Sequence, residues 1–145
     1  MTTLNAQKRS ERGTEIALQA LGRQGSMPAT PVEASWRDFI FAEVWSRPGL
    51  DRRSRYLVSI ASAASTNGPC DVIDDYVRGA LLSGDLTQEE LREAALHLAV
   101  YAGWSRGVEL DRAISRVVKD SGGELSHFAP IREGKWDPQV RVQEG

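Results

Sequence analysis

A chain of 145 residues with 41% hydrophobic and 26% charged residues fits one globular domain, able to bury about two-thirds of the surface its unfolded form exposes. The net charge of -2 argues against a nucleic-acid partner held by bulk electrostatics, and Cys70, the single cysteine, excludes an internal disulfide and leaves no ligand set for a cysteine-based metal site. No apolar run is long enough to cross a bilayer and the stretch Met1 to Arg12 has no signal-peptide core, so we expect no membrane partner and a cytoplasmic location.

In chain order, Gln7 to Leu21 reads as a first helix, a packing arm with Ile16, Ala17, Ala20 and Leu21 on its apolar side and Gly22 as its stop. Gly22 to Pro31 is rich in breakers and reads as a linker. From Val32 to Trp45 the residues Trp36, Phe39, Ile40, Val44 and Trp45 keep helical spacing, while Phe41 falls off that stripe and is expected to face another surface. Arg47-Pro48-Gly49-Leu50 breaks the chain, and Asp51 is the N-cap of a third helix whose interior, Leu57 to Ala64, is apolar or small on every side. Its first turn carries Arg52, Arg53 and Arg55, although a helix N-terminus is already positive. Acidic side chains nearby or an anionic ligand would offset them.

Thr66-Asn67-Gly68-Pro69 marks a turn before a fourth helix, Asp71 to Leu82, closed by Ser83-Gly84. The fifth helix starts with the capping box Thr87 and Glu90 and runs to Gly103. Leu91, Ala94, Ala95, Leu98 and Ala102 form one apolar face, and Glu89, Glu93, His97, Tyr101 and Trp104 line up along another, flanked by Leu96 and Val100. Such a helix calls for burial on two sides, one against its own subunit and the other against a second subunit, a pocket, or both. A sixth helix, Arg106 to Asp120, buries Leu110, Ala113, Ile114, Val117 and Val118 and stops at Gly122-Gly123. The tail through Phe128, Pro130, Trp136 and Pro138 has no period, and nothing alternates like a strand. The fold class expected is therefore all-α, a bundle of about six helices.

Two runs, Trp45-Ser-Arg-Pro-Gly-Leu-Asp-Arg-Arg-Ser-Arg55 and Glu89-Glu-Leu-Arg-Glu-Ala-Ala-Leu-His-Leu-Ala-Val-Tyr-Ala-Gly103, closely resemble the carboxymuconolactone decarboxylase family over roughly Trp36 to Asp120. The resemblance implies an AhpD-like helical fold, assembly as a trimer or hexamer, and loss of carbon dioxide from a carboxylated lactone without a cofactor. It divides a single domain into an N-terminal helix and linker (1–30), the family-like helical part (31–120) and an irregular C-terminal tail (121–145). The redox branch of the fold carries Cys-x-x-Cys, whereas Tyr56 to Tyr76 here holds only Cys70, so an AhpD-type peroxidase is not expected. Aligning on Arg78 puts Tyr76 where the decarboxylase branch often has a histidine.

Decarboxylation without a metal or organic cofactor needs a dry pocket for the departing carboxylate, donors for the enolate oxygen and an acid to protonate carbon. His97, one turn from Glu93 and from Tyr101, is the candidate proton donor, or else a histidine satisfied by hydrogen bonds. Tyr76 can donate to an enolate oxygen, or fill the core with its hydroxyl at a surface. Arg55 and Arg78 are the candidate carboxylate clamps, though Asp74, one turn before Arg78, offers it an ordinary ion pair. Trp45 and Trp104 wall a pocket or serve as core and interface aromatics. Cys70 has no companion thiol or base, and His127 is expected in solvent. The functions this leaves are a decarboxylase-like enzyme on a small anionic, oxygenated acid, a related isomerase or ring-opening enzyme, and a non-catalytic ligand-binding or assembly protein.

Overall fold

Most helices begin where a side chain satisfies the N–H groups that a first turn leaves free. In the computed structural model, which describes residues 5–23 and 27–125, α1 (Ala6–Leu21) is capped by Asn5, α2 (Pro31–Ser35) by Thr30 and α3 (Arg52–Ser65) by Asp51. Both halves of the Thr87/Glu90 capping box form at the start of α5 (Gln88–Ala102). By contrast, α4 (Cys70–Ser83) follows Pro69 and α6 (Trp104–Asp120) follows Gly103, neither with a side-chain cap. Left-handed glycines end α1 and α4, Gly22 at φ 66° and Gly84 at φ 74°. No strand occurs among the described residues, and no helix there is long and apolar enough to cross a membrane.

The second helix departs from its expected winding. After α2 the chain continues as a π-helix over Trp36–Val44, and the Trp45 N–H bonds back to the Ile40 carbonyl at 2.9 Å, five residues earlier. A π-helix closes i→i+5 rings, so its turn is wider than that of an α-helix and the side chains that share a face are spaced further apart. Phe41 is consequently in the core, 1% exposed, and Phe39 is 58% exposed, the reverse of the expectation from an α-helical period. Trp36, Phe41 and Trp45, five and four residues apart, form one aromatic row with centroids 5.9 and 5.7 Å apart.

The core gathers Tyr56 and Ile60 of α3, Ile73, Val77 and Ala80 of α4, Leu91 of α5, and Leu110, Ile114 and Val117 of α6, with Leu86 in the turn before α5. A fully buried aliphatic side chain of this kind contributes about 1.5–3 kcal/mol. The first helix is more than a loosely docked arm. A Cβ on Gly13 would lie 2.0 Å from the Arg37 carbonyl oxygen, and one on Gly79 would lie 1.7 Å from that of Ala20, so α1 touches the π-helix and α4 backbone to backbone.

Two further expectations are corrected. The third helix is amphipathic, not enclosed, with Tyr56, Ile60 and Ala64 inside and Val58 and Ser62 in solvent. On α5 the predicted apolar face buries Leu91 and Ala95 and half-buries Ala94 and Leu98, but Ala102 is exposed. The readings of Phe128, Trp136 and His127 fall in residues 126–145, outside the described residues.

Candidate active site

The structure sorts the candidate side chains into two groups. The first surrounds Tyr76, which α4 places at 6% exposure beneath the aromatic row. Its ring stacks on Trp45 at 5.9 Å and 9° and meets the edge of Trp36 at 6.3 Å and 85°. Trp45 also meets Tyr56 edge-on at 5.1 Å, and the Tyr56 hydroxyl donates to the Ala20 carbonyl at 2.8 Å. Burial pushes the Tyr76 phenol up to about 12, with the Trp36 indole pulling weakly the other way, so it stays a proton donor at any physiological pH.

Beside Tyr76, Asp75 is the one buried charged residue among those described. Its carboxylate accepts from Arg23 at 2.7 and 2.6 Å and from Arg78 at 2.8 Å. The expected partner of Arg78, Asp74, instead faces α6 and pairs with Arg116 at 2.9 Å. Asp75, three residues before Arg78, takes that place on the side of α4 where Arg23 also converges, while Arg116 of α6 draws Asp74 away.

The arginines at the start of α3 divide between the two readings given for them. Arg52 pairs with Asp85, and Arg53 with Glu90 at 2.8 Å, so acidic neighbours offset both. Arg55, half-buried, donates to the Arg47 carbonyl at 2.7 Å, and no ion pair among the described residues neutralises it. A guanidinium there retains donors for an incoming carboxylate.

The second group runs along the outer face of α5, except that Trp104, expected on that helix, is the first residue of α6. Glu93, His97, Tyr101 and Trp104 are all exposed, the last two at 78% and 75%, and His97 meets Tyr101 with centroids 4.7 Å apart. The side on which α5 packs belongs mainly to α6, with a smaller contact on α3. One chain therefore brings Tyr76 to Trp45 and His97 to Tyr101, but no ring contact joins the two groups. Trp104 also edges a cleft of about 260 Å³ between α5 and α6, lined by Arg92, Leu96 and Val108 among others, which does not include His97. Cys70 is exposed at the start of α4.

Sequence reasoning missed Trp36 as a site neighbour, and missed Arg23 and Asp75 altogether. Trp36 becomes legible once the π winding is known. The bond between Arg23 and Asp75 spans 52 residues and leaves no local signal.

Among the described residues, six α-helices and a π-helix without a strand, with a buried phenol under an aromatic row, belong to an all-α protein of the AhpD-like fold. The model of the Carboxymuconolactone decarboxylase family matches residues 31–114, and the chain belongs to that family. Among its relatives, the 4-carboxymuconolactone decarboxylase of Acinetobacter baylyi is 31% identical over 127 residues, covering 82% of this chain and 93% of that protein. The nitrosuccinic acid decarboxylase npaB of Metarhizium robertsii is 31% identical over 108 residues, covering 74% of this chain and 73% of the other.

Proposed function

We propose that the protein is a cytoplasmic, cofactor-independent decarboxylase-like enzyme acting on a small anionic acid whose carbanion is stabilised as an enolate. The observation that carries this reading is Tyr76, a phenol kept protonated by burial and enclosed by the indoles of Trp36 and Trp45. Similarity to two decarboxylases over most of the chain supports it. In this reading Arg55 and Arg78 hold the carboxylates and the indoles exclude water. The C–C bond to the departing carboxylate breaks, its electron pair moves into an enolate that accepts a hydrogen bond from Tyr76, and a proton returns to carbon.

The proton donor of this scheme is His97, with Glu93 and Tyr101 along the same face. Because His97 is exposed in the single chain and α5 does not pack mainly on α4, that role requires a second copy to cover the outer face of α5. Leu96, Val100, Tyr101 and Trp104 make that face apolar enough for such an interface, in a trimer or hexamer. The direct experiment is incubation with 4-carboxymuconolactone and with nitrosuccinic acid while carbon dioxide is measured; no release from either overturns the decarboxylase reading. Tyr76 at the usual histidine position favours one alternative, an enolisation without loss of carbon dioxide. Solvent deuterium entering the substrate with its carboxylates intact would select it.

A further inference from the structure

The cleft of about 260 Å³ between α5 and α6 has no part in the roles assigned to Tyr76 and His97. Its floor is made of small residues: a Cβ on Gly107 would lie 2.4 Å from that of Ala99, so the two helices all but touch there. Leu96, Trp104 and Val108 wall it, with Leu96 48% exposed, and Arg92 paired with Asp111 at 2.7 Å lies at one end and adds no net charge. Pockets for small-molecule ligands have volumes of about 300–1,000 Å³. A smaller, apolar cleft whose one cation is already paired suits apolar side chains better than an anionic substrate.

The described residues end one helical turn from this cleft. The Glu124 carbonyl accepts from Gln88 Nε2 at 3.1 Å, and Leu125 packs against the core. Gln88, Arg92, Ala95 and Ala99 follow one another at steps of four, three and four, so Glu124 is tied to the same side of α5 that lines the cleft. At about 1.5 Å of rise per residue, Arg92 lies about 6 Å and Ala99 about 16 Å beyond Gln88 along the helix. A chain spans at most about 3.3–3.6 Å per residue, which gives Phe128 a reach of about 10 Å from Leu125 and Ile131 one of about 20 Å. These two bound Phe128-Ala-Pro-Ile131, the first uncharged apolar run in the segment 126–145, which lies outside the described residues.

We propose that the segment 126–145 turns back along α5 and α6, with Phe128 and Ile131 filling the cleft of the same chain. The segment covers Leu96, Trp104 and Val108, and leaves Val100 and Tyr101, which do not line the cleft, to a second copy. Its docking does not depend on the decarboxylase reading.

The experiment uses the full chain carrying Cys70→Ser, so that the single thiol is the one introduced by Leu96→Cys on the cleft wall, and follows its alkylation by iodoacetamide. A covered thiol reacts only while the segment is displaced, so the rate reads the balance of docked and displaced forms. Adding Phe128→Asp is expected to speed alkylation by about tenfold, and Phe128→Ala by a smaller factor. A thiol introduced instead by Val58→Cys, exposed on α3, is expected to react at one rate whichever residue stands at position 128. Val108→Cys repeats the measurement from α6 if Leu96→Cys lowers the helical content seen by circular dichroism. Equal rates with and without Phe128→Asp overturn the proposal. Protection that grows with protein concentration assigns the cleft to a second copy or to its segment, and overturns docking within one chain.

Discussion

The surroundings of Tyr76 and the outer face of α5 carry similar side chains in opposite states. Around Tyr76, aromatic rings from the π-helix, α3 and α4 close on one another and the charged groups are paired around Asp75. On α5, an imidazole and a phenol stand in solvent with Val100 beside them and the indole of Trp104, first residue of α6, next to them. The first region is complete in one chain because every ring has a partner within it. The second carries large apolar side chains without cover in the single chain. The comparison teaches that the two halves of the proposed chemistry stand differently in the single chain, Tyr76 enclosed by tertiary packing and His97 left in solvent.

The strongest challenge to this contrast is at the π-helix. Phe41→Ala is expected to cost about 3–5 kcal/mol in chemical denaturation, while Phe39→Ala, two residues away, stays within about 0.5 kcal/mol. Similar losses for the two would return this segment to an ordinary α-helix and dissolve the aromatic row. Next, Tyr76→Phe is expected to lower kcat by about a hundredfold with little change in stability, since only the hydroxyl proposed to meet the enolate is removed. A parent-like kcat would make the phenol a core residue only.

For the outer face, Val100→Asp is expected to weaken self-association by about 1–3 kcal/mol per contact, read by light scattering on a size-exclusion column. The chain should keep its helical content, because Val100 touches no core in the single chain. An unchanged molar mass would remove the interface, and with it the proposed part of His97. The smallest effect lies in alkaline titration. Tyr76 has a folded pKa of about 12, above its ordinary value of 10, so its protonated form favours the fold below pH 10, and that contribution is lost as pH rises from 10 through 12. Ultraviolet titration should show a late-ionising phenol that is missing in Tyr76→Phe.

Local chemistry was legible wherever neighbours along the chain are neighbours in space. Asn5, Thr30, Asp51 and Thr87 cap their helices through a bond to a residue three positions on, and three of the six helices end at glycine. Asp51 and Thr87 were expected as such caps, as were the stops at Gly22, Gly84 and Gly103 and the buried stripe of α6. The runs around Arg52 and His97 carried the family, and with it the fold. Misreadings came where the period itself changed, at Phe39 and Phe41, because spacing identifies a face only if the winding is known.

What the sequence determined by itself was the number, order and ends of the helices, since caps, stops and apolar stripes act over a few residues. Only the tertiary structure decided which arginine meets which carboxylate, that α1 ends against Gly79 of α4 and the Tyr56 hydroxyl, and that the outer face of α5 is left open in the single chain. Those outcomes depend on contacts such as Arg23 to Asp75, where chain separation is large and the partner is chosen by how helices pack, a geometry that no local pattern encodes.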